Sequence, residues 1–285
     1  MAEYMMEVPA LWSVAEDWIL DRLSDNRDWT DGERPLDQSR DNYEAEMRRG
    51  RARLELSLAR IRLARGDLAS ARQAAERSIQ QTWNPEFIAE VATIHDALGA
   101  ERRVAQLLAL ARVDPVAPLE TGVLGADGRP LPESTEAELD AARQTMQERI
   151  RSGLLDESVN VAARLRSASG DETTLGQVLH GGSRLVIQAI QLDVIPDEDF
   201  ALLAEKAEEL TSAGVETLLV SQQPDSSSTR GAATMPLYLD TGHEVWDALR
   251  AWRTVQYFVL DRRGRLRHRG DKLEDALRIS LVLSW

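Results

Sequence analysis

The chain has no cysteine among its 285 residues, so it forms no disulfide, offers no thiolate nucleophile and gives a metal no sulfur ligand. Long apolar runs are absent too: nothing approaches the ~18–20 uninterrupted apolar residues of a membrane-spanning helix. The opening residues lack a basic segment followed by an apolar one, so no secretory signal is expected; with the missing cysteine this predicts a cytoplasmic protein. Basic residues are in deficit, 34 Lys and Arg against 48 Asp and Glu, for a net charge of -14. That balance argues against broad binding to nucleic acid or anionic lipid, which rests on neutralising phosphates. No P-loop, dinucleotide fingerprint or Gly-x-Ser-x-Gly elbow occurs, which leaves nucleotide and nucleophilic-hydrolase chemistry without support.

What is present differs between the two halves. Apolar residues recur at Val14, Trp18, Ile19 and Leu23, a helical stripe expected to face the core. A longer helical pattern runs from Asp41 to Arg65 and stops at Gly66, a natural left-handed cap. The stretch from Gly66 through Leu68 and Ala71 to Glu76 resembles the middle of a tetratricopeptide repeat, in which a glycine turn precedes a second helix with small alanines. Gly66 recurs as Gly99 and Ala71 as Ala105, offsets of 33 and 34 residues against a family period of about 34. Pro85 and Pro115 each end one helical segment and open the next. The resemblance spans Asp41 to Pro115 and implies a platform for a peptide or partner protein, capped by the helix near Trp12 to Leu23 or by the one from Thr135 to Ser152. Val113 to Glu133 is dense in proline and glycine and reads as a linker; Ser134 or Thr135 caps the helix after it.

From Asp156 onward strands and helices alternate. Arg184 to Ile190 is a buried-strand run, and Asp197 to Ala213 is an amphipathic helix with Phe200, Leu203, Ala207 and Leu210 on one face. Val215 to Ser221 is the next strand, an order that implies a parallel pair with a right-handed crossover. Pro236 to Asp240 is a short strand and Glu244 to Trp252 a helix. Val255 to Asp261 and Arg265 to Arg269 form a hairpin about Gly264, and Lys272 to Leu281 a last helix. Gly170 to Leu175 resembles the hairpin before the first core strand of the redoxin branch of the thioredoxin superfamily. Phe258 to Gly264 resembles that family's later strand and turn.

This resemblance implies a thioredoxin-like domain and a thiolate at the start of the helix after the first core strand, where the helix dipole stabilises negative charge. Here that place is Asp193, Val194, Ile195, Pro196, Asp197, Glu198 and Asp199. The proline that faces the family's cysteines would fall near Val255. Both are lost, so no catalytic residue carries over, and the degenerate active-site region is Asp193, Val194, Ile195, Asp197 and Val255.

The remaining candidates are each weighed against a plainer role. Asp193, Asp197, Glu198 and Asp199 have the oxygen ligands of a hard cation, but acids in a first helical turn are favoured electrostatically, and no metal is expected. His95, His180, His243 and His268 show no metal-ligand spacing. Ser226 to Thr229 are hydroxyls in a polar loop. Arg262, Arg263, Arg265, Arg267 and Arg269 form the one dense basic patch, a docking spot for an acidic partner or for the chain's own acidic helical half, or else charge protecting a sheet edge. Seven tryptophans against three phenylalanines single out Trp12, Trp29 and Trp285 as partner contacts, with Trp18 assigned to the core.

The expected fold class is α followed by α/β: tetratricopeptide-like helical hairpins over residues 1–115, linker and connecting helix over 116–153, then a thioredoxin-like mixed sheet flanked by helices over 154–285. The expected function is a non-catalytic adaptor, scaffold or chaperone-like accessory that binds a protein or peptide and needs no cofactor. Alternatives are an enzyme with a new non-thiol site between the domains, and a self-assembling component that forms a homo-oligomer.

Overall fold

A computed structural model describes residues 8–25, 40–81, 84–119, 123–125, 127–179, 183–223, 235–251 and 253–284. Trp29, His180, Ser226 to Thr229 and Trp285, named above, lie outside the described residues. The chain divides into two compact units, Met1–Leu36 with Asn42–Met146, and Asp37–Asp41 with Gln147–Trp285.

The first unit contains α1 (Trp12–Asp25), α2 (Arg40–Ala64), α3 (Leu68–Ile79), α4 (Pro85–Ala97) and α5 (Glu101–Arg112). Asp67 caps α3 by accepting from the Ser70 N–H, and Asn84 caps α4 by accepting from the Phe87 N–H, with Pro85 at the first helical turn. The turns into α3 and α5 repeat a pattern. At the first, the Asp67 N–H donates to the Arg62 carbonyl with Gly66 at φ 80°; at the second, the Ala100 N–H donates to the His95 carbonyl with Gly99 at φ 66°. Both are left-handed caps that glycine adopts without strain. Small residues let these helices approach: Ala71, Ala74, Ala75, Ala92 and Ala109 are all fully buried.

Charge also ties the helices together. Glu16 on α1 meets Arg62 of α2 and Arg65 just past its end, and Glu55 on α2 accepts a bidentate pair from Arg77 on α3. The Glu76 carboxylate on α3 is held by Arg103 of α5 at 2.6 Å and lies 3.2 Å from Nε2 of His95 on α4. Its pKa falls to about 2, first through the His95 contact and then through Arg103.

Two expectations change in this unit. The stripe that α1 buries is Ala15, Ile19 and Leu23, whereas Val14 and Trp18 are exposed. The buried residues follow an i, i+4, i+8 spacing, and Val14 with Trp18 forms a second stripe beside it. The proline-rich segment after α5 is also pinned down. Val113, Asp114, Val116 and Leu131 are buried, and the Asp114 carboxylate accepts from the Val116 and Ala117 N–H groups. An isolated bridge joins Leu124 to Pro130. At Gly125 a Cβ would meet the Asp96 carboxylate, which would have to move aside. α6 (Glu136–Ser152) follows, with Thr135 and Glu138 bonding reciprocally across its first turn, and it crosses the boundary between the units.

The second unit is built on an eight-stranded mixed sheet in the order β1-β8-β7-β4-β5-β6-β2-β3. These are β1 (Glu157–Ser158), β2 (Arg164–Ser167), β3 (Glu172–Thr174), β4 (Ser183–Ala189), β5 (Val215–Ser221), β6 (Leu237–Leu239), β7 (Val255–Leu260) and β8 (Arg265–Gly270). β4 runs parallel to β5 and antiparallel to β7, which is antiparallel to β8. The helices are α7 (Leu175–Val178), α8 (Asp197–Glu205), α9 (Ala207–Ser212), α10 (Glu244–Leu249) and α11 (Leu273–Val282). On one sheet face Val186, Phe258, Leu218 and Val220 pack with Leu175, Val245 and Leu249. Alternation sends Leu185, Ile187, Tyr257 and Val259 to the other face.

The amphipathic helix after β4 breaks at Lys206, giving α8 and α9 instead of one helix. Leu203, Lys206 and Leu210 are its buried positions, and Ala207 is exposed. Lys206 occupies that row because its ammonium reaches Glu209 at 3.2 Å and Glu205 at 3.7 Å while its stem lies in the protein.

Candidate functional site

β4 ends at Ala189 and leads into a 3₁₀ turn, Leu192–Val194, before α8 starts at Asp197. Leu192 and Ile195 are buried and anchor this loop, while Asp193, Val194, Pro196, Asp197 and Glu198 are exposed. Pro196 makes no side-chain cap, so Asp197, Glu198 and Asp199 are the negative charges nearest the dipole of α8. Across the sheet Val255 pairs with Ala189, and the Ile190 N–H donates to the Thr254 carbonyl at 3.0 Å. No cis peptide bond occurs among the described residues. The expected thiolate position thus holds exposed acids and aliphatics on either side of an intact strand pair.

Sequence reasoning missed three residues that the sheet brings to this end. Tyr257, on β7 beside Ile187, donates its phenol hydrogen to Asp199 of α8. Burial raises the Asp199 pKa above the ordinary carboxylate value, and the Tyr257 hydrogen bond offsets only part of that rise. Burial and the Asp199 carboxylate push the Tyr257 phenol far up, which keeps it a donor. On the opposite face Gln188 and Gln256 are direct cross-strand partners, both fully buried. Neither amide atom of Gln188 has a hydrogen-bond partner among the described residues. The signal for the pair was a glutamine inside each of two apolar strand runs.

The arginine hairpin is largely neutralised from within its own unit. Arg265 and Arg267 both bond Asp156, Arg267 also bonds Asp261, and Arg269 bonds Glu157. Asp261 has its pKa lowered: burial raises it, but N–H donation from Arg265 and Arg263 and the Arg267 contact outweigh this. The two-residue β1 pairs with β8 at Leu266 and Arg265, and the Leu155 N–H donates to the Arg267 carbonyl, which covers the first half of β8. Arg262 and Arg263, at the tip, are exposed, and their guanidinium groups meet no carboxylate among the described residues.

The other candidates are dispersed. His95 is buried beside Glu76, His243 sits at the start of α10 with Nδ1 2.7 Å from Gln222 Nε2, and His268 lies on β8. Among the described residues no three His, Asp or Glu side chains come together as a metal would require. Trp12 is half-buried at the start of α1. Among the described residues no helix is long and apolar enough to cross a membrane.

With β4 central, β5 parallel to it on one side, and on the other β7 antiparallel to it and β8 antiparallel to β7, the second unit is a thioredoxin-like domain, here without a single cysteine. No family model matches the chain, and no curated protein matches it. Among solved structures it is similar to Xanthomonas campestris peroxiredoxin Q, at 18% identity over 45% of this chain and 97% of that one, with a TM-score of 0.37. It is also similar to peroxidoxin BcpB from Mycobacterium tuberculosis, at 14% identity over 46% and 96%, with a TM-score of 0.36. The mitochondrial 2-cys peroxiredoxin from Plasmodium falciparum gives 12% identity over 44% and 90%, with a TM-score of 0.34. The fold rests on the strand order and pairing described above, and these likenesses carry nothing about activity.

Proposed function

We propose that this protein is a non-catalytic scaffold in which a tetratricopeptide-like helical module and a redox-inert thioredoxin-like domain bind other proteins. The observation that carries this reading is the tip of the β7–β8 hairpin. Arg265, Arg267 and Arg269 are matched to carboxylates and contribute to their own unit, whereas Arg262 and Arg263 are exposed beside them without a counter-charge among the described residues. Two exposed guanidinium groups side by side on a turn suit bidentate recognition of carboxylates on an acidic partner segment. Of the five arginines of the hairpin, Arg262 and Arg263 are the ones this reading assigns to the partner. Asp193, Asp197 and Glu198, the acids of the enzyme alternative, are exposed.

The test is affinity capture from native lysate with the wild-type chain, R262E/R263E and R265E. Both variants change arginine to glutamate, but only R265E disturbs the Asp156 network, so R262E/R263E melts like wild type while R265E melts lower. Loss of a reproducible partner from R262E/R263E is the expected result. A wild-type chain that retains nothing above background, or an R262E/R263E chain that retains the same proteins, overturns the reading.

A further inference from the structure

We propose that the outward face of α1 is a second docking surface, one that takes an arginine-bearing basic segment of another polypeptide. It goes beyond the scaffold reading, because it lies in the other unit and calls for a partner of opposite charge. α1 commits Ala15, Ile19 and Leu23 to the core of its own unit. One helical turn apart on a neighbouring face stand Val14, 54% exposed, and Trp18, 36% exposed. Two large apolar side chains stacked in this way are the smallest unit of a buried interface stripe, and tryptophan is the residue most enriched where interfaces gain affinity.

The chemistry beside that stripe selects the occupant. Asp17 and Asp21 are exposed, and neither carboxylate has a partner among the described residues, whereas Glu16 on the same helix is held by Arg62 and Arg65. The one basic residue of α1, Arg22, places its guanidinium 5.7 Å from the Trp18 ring centroid. The ring thus takes a guanidinium over its π-face, and Asp17 and Asp21, one position before Trp18 and three after it, are exposed on the same helix. An incoming arginine fits both features at once: its planar head stacks on an indole while its charge meets a carboxylate, and neighbouring apolar residues cover Val14. A second copy fits poorly, since each chain carries a net charge of -14 that repels its like and draws in a cation.

The probe is a short synthetic helical peptide with leucines along one face and arginines beside them, titrated calorimetrically into the full-length chain. Matched peptides carry lysine or glutamate in place of arginine. Trp18→Ala is expected to weaken the arginine peptide roughly tenfold. D17N/D21N is expected to weaken it and to flatten its salt dependence. The control D193N/E208Q, with the same change in net charge on exposed acids elsewhere, is expected to bind like wild type. Should W18A lower the melting temperature, Val14→Ser, at the more exposed site, serves in its place. Several results overturn the proposal: W18A and V14S bind as wild type, the control weakens as much as D17N/D21N, or the lysine peptide binds as tightly as the arginine one. Light scattering that shows wild-type self-association abolished by W18A also overturns it, and assigns the face to a second copy.

Discussion

Glu76 in the helical unit and Asp199 in the sheet unit are both partly buried carboxylates that join separate elements, yet their acidities move in opposite directions. Glu76 lies between the His95 imidazole and the Arg103 guanidinium, and its pKa falls to about 2. Asp199 meets a neutral phenol, with Glu198 as its charged neighbour, and its pKa rises. One carboxylate is welcomed as an anion and the other is tolerated as one. The first unit is held by charge as well as by close alanine packing; the second depends on large side chains either side of a sheet.

Phe258→Ala probes that difference most severely. The side chain is fully buried opposite Val186, and its removal leaves a cavity expected to cost about 3–5 kcal/mol in urea unfolding, with no charge altered. A smaller loss would mean that the sheet face collapses around the gap and is less dependent on packing than argued.

Acidification separates the units by sign. Because the folded-state pKa of Glu76 lies below its ordinary 4.5, its contribution is present above that value and is lost as the pH falls toward about 2. The Glu76 side chain is 37% exposed, so solvent screening reduces the expected loss to roughly 1 kcal/mol, removed in Glu76→Gln. Asp199 behaves in reverse. Its raised pKa gives a contribution fully present below the ordinary 3.8 that fades as the pH rises through the folded-state value. Asp199→Asn therefore flattens the stability profile above the ordinary carboxylate value and E76Q flattens it below; melting curves of both variants across pH check this.

The smallest effect belongs to the phenol. Tyr257→Phe removes the hydrogen bond that lowers the Asp199 pKa, so the carboxyl titrates higher still, a shift that carbon-detected NMR follows directly. An unchanged or lower value would show that the phenol does not set the acidity of Asp199.

Much of the architecture was legible in the sequence because it rests on local periodicity. Gly66 and Gly99 mark two equivalent turns, and the runs at Arg184 to Ile190 and Val255 to Asp261 mark two central strands, which form over Ser183–Ala189 and Val255–Leu260. Side-chain pairing was less legible. Arg265 finds Asp156 across 109 residues of chain, and β1, which pairs with the start of β8, has only two residues and leaves no periodic signal. Val14 and Trp18 were placed in the core because periodicity finds an apolar stripe without saying which of two adjacent stripes packs. Lys206 was passed over because its class is usually exposed, although a long stem can be buried under a charged head.

Sequence alone determined that this chain performs no thiol chemistry, since composition needs no geometry to remove a functional group. It also fixed the alternation of strand and helix, which arises from neighbours in the chain. Tertiary structure alone decided which charges remain available. Arg267 and Arg262 are the same residue type five positions apart, yet one is matched to Asp156 and Asp261 and the other is exposed. Availability is set by what the rest of the fold brings within a few ångströms, and Coulomb attraction at that range depends on position in space, not on order in the chain.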